Sequence, residues 1–202
     1  GIFVGTTAFG NSEFDAEVSH WGIDALVTDH VLAAMTERGQ FPAEPLDLGD
    51  VSRASLYAGP DDAYLPREAV SRLMELARKQ GVDALLIVQR SRSDNSPFHK
   101  PGYGLYKKTT FGLVRQCAYA LFDVGVYRTG DGARIAFRYA VPCETGRDTT
   151  PVKASFEQYS AEEQADLERS VKLEVLGQMD MILAKLKVLK ARSGSASATE
   201  RR

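Results

Sequence analysis

Three histidines are the first residues to consider for chemistry, because imidazole serves as a metal ligand and as a general base near neutral pH. His20, His30 and His99 lack the short paired spacings of metal-binding motifs, and no cysteine lies near any of them in the sequence. His30 falls within the apolar stripe of a predicted helix. We therefore interpret it as a partly buried, hydrogen-bonded ring, and we expect no metal site, no cofactor and no catalytic residue in this chain.

Two short motifs resemble ligand loops without meeting their requirements. Gly102-Tyr103-Gly104 lacks the third glycine and the strand-to-helix setting of a dinucleotide-binding loop. The adjacent Asp61 and Asp62 lack the alternating carboxylate and amide pattern of a calcium loop. Both motifs indicate turns.

A hairpin around residues 129–132 has a register that its apolar pattern predicts. Pairing residues whose numbers sum to 261 places Val124 opposite Phe137 and makes one face continuously apolar. On the other face, the same register places Asp123 opposite Arg138 as a cross-strand ion pair.

The two cysteines flank this hairpin. In the predicted register Cys143 lies on the apolar face and Cys117 on the opposite face. Side chains on opposite faces of a sheet cannot form a disulfide without backbone movement. We expect two free thiols.

The composition is that of an ordinary globular protein, with 44% apolar and 26% charged residues in 202. We expect a single domain over residues 1–192 and a disordered tail over residues 193–202. The net charge of −2 argues against a nucleic-acid partner, which would require a surplus of Lys and Arg. No apolar stretch approaches the roughly 20 residues of a membrane helix. The apolar start at residues 2–4 predicts that residues upstream have been removed, including a possible signal or lipid anchor.

Three helices are predicted from apolar residues at helical spacing. The first spans residues 22–38, with Gly39 expected in a left-handed conformation after it. The second begins near Pro66 and ends at Gly81. The third begins at Ser160 with a capping-box pattern, and its predicted buried stripe consists of Leu167, Val171, Val175, Met179, Ile182, Leu186 and Leu189.

Five strands are predicted around these helices. Residues 2–11 form the first, and residues 41–48, which include two prolines, form an edge strand. The continuously apolar residues 82–88 indicate the centre of the sheet, and the hairpin supplies the last two strands. The predicted fold is a three-layer α/β/α domain with a mixed five-stranded sheet in the order 2-1-3-4-5, its fourth strand antiparallel, and a long C-terminal helix.

Residues 91–110 are predicted to form a long polar and aromatic loop. Aromatic and cationic side chains dominate the energetics of protein interfaces, so the loop is a candidate partner-binding surface. An equally weighted alternative is that its aromatic side chains fold back over the sheet. The candidate partner-binding residues are Phe98, Lys100, Tyr103, Tyr106, Lys107 and Lys108.

Two segments carry a resemblance to known proteins: residues 81–88, a helix-ending glycine followed by a buried strand, and residues 118–127 with the Thr129-Gly130 turn. With this order of elements, the chain resembles bacterial envelope domains, namely those of the curli-secretion lipoprotein, the lipoprotein activators of peptidoglycan synthases and the N-terminal domain of the Tol-system propeller protein. The resemblance implies a non-enzymatic periplasmic domain that is held at the outer membrane by an upstream lipid anchor and docks onto another envelope protein.

Two other functions remain open from the sequence. A small-ligand-binding or enzymatic α/β domain would have its pocket at the carboxyl ends of the strands, near Asn11 and Arg90. A self-associating protein would use the sheet edge or the final helix.

Overall fold

A computed structural model describes residues 18–56, 65–90, 102–110, 113–139, 153 and 155–190 of the chain. These residues contain three α-helices and four β-strands. In chain order they are α1 (Ile23–Arg38), α2 (Arg67–Lys79), β1 (Ala84–Arg90), β2 (Gly102–Thr110), β3 (Leu113–Arg128), β4 (Arg134–Tyr139) and α3 (Ala161–Lys185).

The long strand β3 is the centre of the described sheet, and all of its pairings are antiparallel. Its first half pairs with β2, from Thr110 opposite Leu113 to Gly102 opposite Leu121. Its second half pairs with both β1 and β4. The described sheet therefore has four antiparallel strands, so the mixed α/β class is confirmed, whereas the five-stranded sheet and its order are not.

Two of the predictions about strands are wrong, and a third concerns residues that the structure does not describe. Residues 41–48 form no strand, and the prolines that the sequence placed at a sheet edge remove ladder donors there. Residues 102–110, predicted as loop, form β2. The predicted first strand at residues 2–11 lies outside the described residues.

Strand β1 was predicted as the centre of the sheet, but within the described residues it pairs only with β3. Its continuous apolar run is explained by burial on both faces, as the sequence pattern indicated, because successive side chains of a strand point to opposite faces. Leu85 and Ile87 belong to one hydrophobic cluster, while Leu86 and Val88 pack against another. A strand between two clusters needs apolar residues on both faces wherever it lies in the sheet.

The larger of these clusters joins α1, α3 and one face of β3. Ala120, Phe122, Val124 and Val126 of β3 pack there. All seven residues of the predicted α3 stripe are buried in it. The smaller cluster joins α2 to β1 through Leu73, Met74, Ala77, Leu85 and Ile87, with Val51 and Leu56.

The hairpin register differs from the predicted one. Val124 pairs with Arg138 and Asp123 with Tyr139, so the residue numbers sum to 262 until a register shift at Val126/Tyr127. The predicted pairs of Val124 with Phe137 and of Asp123 with Arg138 are therefore wrong. A β-bulge next to the turn adds one residue to one strand, which the alternation of apolar residues alone does not reveal.

The predicted register placed Cys117 and Cys143 on opposite faces of the hairpin. In the observed register an odd-numbered residue pairs with an odd-numbered one and shares its face, so this argument against a disulfide no longer holds. Cys143 lies outside the described residues, and the side chain of Cys117 is likewise not described. Free thiols remain a prediction without that support. The single domain over residues 1–192 also remains a prediction, and residues 193–202 lie outside the described part.

Two of the three predicted features at the helix ends are confirmed. Ser160 Oγ accepts a hydrogen bond from Glu163 N at 3.2 Å, and Ser160 N donates to Glu163 Oε2 at 2.7 Å, which confirms the capping box of α3. Gly81 has a φ of 73°, as expected after α2. Gly39 has an extended conformation instead, and a Cβ there would lie 2.2 Å from Met35 O. Close packing against the helix end, rather than a left-handed turn, requires glycine at this position.

Candidate functional site

Tyr103 is the sequence-predicted site residue whose side chain the structure describes. It lies in β2, half-buried, and its hydroxyl donates a hydrogen bond to Asp24 Oδ1 in the first turn of α1 at 2.8 Å. The ring also packs against the larger cluster. At this position the structure favours the alternative in which the aromatic side chain folds back over the sheet.

The other predicted partner-binding residues are placed only in part. Tyr106, Lys107 and Lys108 belong to β2, but their side chains are not described. Phe98 and Lys100 lie outside the described residues. Their role in partner binding stays a prediction.

The alternative ligand pocket is likewise untested. Arg90 is the last residue of β1, paired through its backbone with Phe122, and its side chain is not described. Asn11 lies outside the described residues. The pocket near these two residues therefore stays a prediction.

His30 confirms the interpretation of a hydrogen-bonded, partly buried ring. Its Nε2 lies 2.9 Å from Asp180 Oδ1, and 26% of its side chain is exposed. His20 is exposed and makes an edge contact with Trp21, and His99 lies outside the described residues. No group of three His, Cys, Asp or Glu residues in the described ranges could hold a metal ion.

A groove between the C-terminal ends of α1 and α3 is the feature that sequence reasoning missed. It has a volume of about 630 Å³. We call it the helix-end groove, and its lining residues are Arg38, Gln40, Asp180, Met181, Ala184, Lys187, Leu189 and Lys190.

Backbone pairing fixes the floor of the helix-end groove. Gly39 and Leu189 form an isolated antiparallel β-bridge. Next to it, Gln40 N donates to Val188 O at 3.0 Å, and Gln40 Nε2 donates to Lys187 O at 2.9 Å. The segments that follow α1 and α3 therefore hold each other in place, so the groove has a defined shape.

Lys187 turns the chain at the end of α3 in an unusual conformation. Its φ of 57° makes it the one non-glycine residue with positive φ among the described residues. This left-handed conformation costs about 1–2 kcal/mol for a residue with a Cβ. Helices commonly end on a left-handed residue directly after the C-cap, here Leu186, so Lys187 marks the end of α3.

The groove carries more positive than negative charge. Arg38, Lys187 and Lys190 form no ion pair with another described residue. The carboxylate in the lining, Asp180, contacts His30. The groove is therefore a cationic region on a chain whose overall charge is −2.

Exposed apolar side chains accompany these cations. Met181, in the lining, is 38% exposed, and Phe41, which follows the lining residue Gln40 in the chain, is 65% exposed. The other large exposed apolar residues of the described part are Ile135 in β4 and Leu173 in α3. The sequence contained one indication of this exposed apolar surface, because Met181 lies off the predicted buried stripe of α3.

No protein-family model, curated protein or solved structure matches this chain. Among the described helices, none is long and apolar enough to cross a membrane.

Proposed function

We propose that this chain is a non-enzymatic protein-interaction domain of the bacterial cell envelope, and that the helix-end groove is its docking surface. The observation that carries the proposal is a groove whose lining combines exposed Met181 with three cations that have no ion-pair partner among the described residues, with exposed Phe41 directly following the lining residue Gln40 in the chain. Aromatic residues, methionine and arginine are the residue types enriched at protein interfaces.

The chemistry of the two exposed apolar residues supports this proposal. Leaving a Phe or Met side chain in water forgoes about 1.5–3 kcal/mol of burial free energy. A partner that covers Phe41 and Met181 would recover part of that free energy. The thioether of Met181 also adapts its conformation to different contact shapes.

The location in the envelope rests on the resemblance carried by residues 81–88 and 118–127. We propose on this basis that the domain is periplasmic and, through an upstream lipid anchor, held at the outer membrane. The same resemblance supports a three-layer domain in which residues 2–11 supply a fifth strand. Homo-oligomers are compatible with this proposal, because an envelope domain can dock onto a copy of itself as well as onto another protein.

Affinity capture with matched variants tests the docking role. The purified chain is used to capture proteins from an envelope fraction, and the partner is identified, purified and tested again for direct binding. A Phe41→Ser/Met181→Ser double variant should lose binding. The control is Ile135→Ser/Leu173→Ser, which removes two equally exposed apolar side chains elsewhere and should bind normally. Equal binding by both double variants would contradict the proposed surface.

A further inference from the structure

We propose that the helix-end groove takes an acidic segment of its protein partner, with an apolar side chain of that segment against Phe41 and Met181. This inference rests on the proposed function and adds the chemistry of the ligand. It follows from three cations without ion-pair partners in the described structure, from the exposed Met181 in the same lining, and from the exposed Phe41 next to Gln40 in the chain.

The three cations lie at or just after the C-terminal ends of two helices. Arg38 is in the last turn of α1, and Lys187 directly follows Leu186, the C-cap of α3, so both lie where a helix dipole favours positive charge. None of the three cations forms an ion pair with another described residue, so their charges remain available to an anionic ligand.

The backbone brings these cations together across the groove. Lys190 N donates a hydrogen bond to Arg38 O at 2.7 Å, so the residues that end α1 and follow α3 are adjacent. Lys187 is held nearby, because its carbonyl accepts the hydrogen bond from Gln40. Because the backbones that carry these side chains are held together, a carboxylate can contact more than one of the cations without the chain segments having to be ordered first.

Two observations favour an acidic protein segment over a nucleic acid. The lining includes the exposed apolar residues Met181 and Ala184. A phosphate backbone would leave this apolar surface uncovered, whereas an apolar side chain of a peptide can cover it. The chain also lacks the overall positive charge that nucleic-acid affinity requires.

Fluorescence anisotropy on the full chain tests the inference with defined probes. The first probe is a fluorescein-labelled peptide that alternates glutamate with leucine, and the second has glutamine in place of every glutamate. A labelled oligothymidylate is the third. We expect the glutamate peptide to bind about tenfold more tightly than the glutamine peptide, which corresponds to about 1.4 kcal/mol, and to weaken as salt concentration rises.

Two variants with the same change in net charge locate the binding. The groove variant is Arg38→Ser/Lys187→Asn/Lys190→Ser, in which asparagine tolerates the left-handed conformation of residue 187. The control variant is Arg67→Ser/Arg72→Ser/Lys79→Ser, on the exposed surface of α2. Circular dichroism first establishes that both are folded. The groove variant should lose the preference for the glutamate peptide, and the control should keep it.

The possible contrary outcomes have different meanings. Equal binding of the two peptides would overturn the charge inference and leave groove docking intact. Equal losses in both variants, tighter binding of the oligothymidylate, or no binding of either peptide would also overturn it. Self-association that the groove variant abolishes would assign the groove to a second copy of the chain. The proposed function fails separately, if Phe41→Ser/Met181→Ser leaves capture of the native partner unchanged.

Discussion

His30 Nε2 in α1 lies 2.9 Å from Asp180 Oδ1 in α3. The two residues are 150 positions apart in the sequence, and their contact joins the two helices. Asp180 also lines the helix-end groove. The contact therefore helps to hold the two helices that form the walls of the groove.

The His30 and Asp180 pair should contribute to stability as a coupled unit. Both side chains are partly exposed, so we expect a coupling free energy of about 0.5–1 kcal/mol. Urea unfolding of the wild type, His30→Ala, Asp180→Ala and the double variant measures it. If the two single effects add without coupling, the pair does not fix α1 against α3.

Two glycines should respond to alanine in opposite directions. Gly177 lies in α3 with nothing within 4 Å of an added Cβ, so Gly177→Ala should stabilise the chain by about 0.5–1 kcal/mol. At Gly104 a Cβ would lie 2.9 Å from the hydroxyl oxygen of Tyr119, which is 2% exposed. Gly104→Ala should destabilise by about 1–3 kcal/mol. Thermal unfolding distinguishes them, and equal shifts would be inconsistent with this packing of β2 on β3.

Thr129 attaches the turn between β3 and β4 to the end of α2. Its hydroxyl donates to Val82 O, and its carbonyl accepts from Arg78 Nη2 at 2.9 Å. Thr129 is 4% exposed and the Val82 carbonyl is part-buried, so Thr129→Val removes a hydrogen bond and should cost about 0.5–1.5 kcal/mol. Denaturant unfolding should also show a loss for Arg78→Ala, but not for Arg72→Ala on the exposed side of the same helix. Similar effects of the two arginine variants would contradict the assigned role of Arg78.

The capping box makes stability depend on pH in the acidic range. The hydrogen bond from Lys153, followed by that from the Ser160 backbone, lowers the pKa of Glu163 below its ordinary value of 4.5. Because the folded-state pKa is the lower one, the stabilisation is present above pH 4.5 and is lost as the pH falls through the folded-state pKa.

Melting temperatures measured from about pH 6 to about pH 3 test this dependence. Glu163→Gln should show a smaller loss of stability on acidification than the wild type. Glu162→Gln removes a neighbouring carboxylate from the first turn of α3 and serves as the control. A wild-type slope that Glu163→Gln leaves unchanged would show that another group is responsible.

Helices were predictable from the sequence because their signals are local. The spacing of Leu167, Val171 and Val175 defines the buried face of α3, and the Ser160 cap marks its start. The antiparallel pairing of β1 with β3 also agrees with the predicted topology. Periodicity and capping depend on residues a few positions apart, so the sequence contains them directly.

Strand pairing and register were harder to predict, because they depend on residues far apart in the sequence. The bulge at Val126/Tyr127 shifts the β3–β4 register by one residue, although the apolar alternation was compatible with the unshifted pairing. Strand β2 was not predicted because its sequence is rich in glycine, lysine and tyrosine and lacks a clear apolar alternation. Its partner β3 begins only after Thr110, so the pairing that forms the strand is not visible within the segment itself.

The site was the least predictable feature. The helix-end groove requires Gln40 to lie beside Lys187, and neither residue belongs to a functional motif. Tyr103 had the expected residue type for an interface, but its contact with Asp24 could not be known without the fold. Residue type alone therefore selected an aromatic side chain that makes contacts within the fold.

Photo-crosslinking can show whether the partner contacts the protein at the helix-end groove. Benzoylphenylalanine replaces Phe41 in one protein and Arg72, an exposed residue of α2, in another, and each is irradiated with the purified envelope partner. We expect a crosslinked complex from position 41, competed by unlabelled chain, and none from position 72. A complex from position 72 alone, or equal yields from both positions, would show that the partner docks elsewhere.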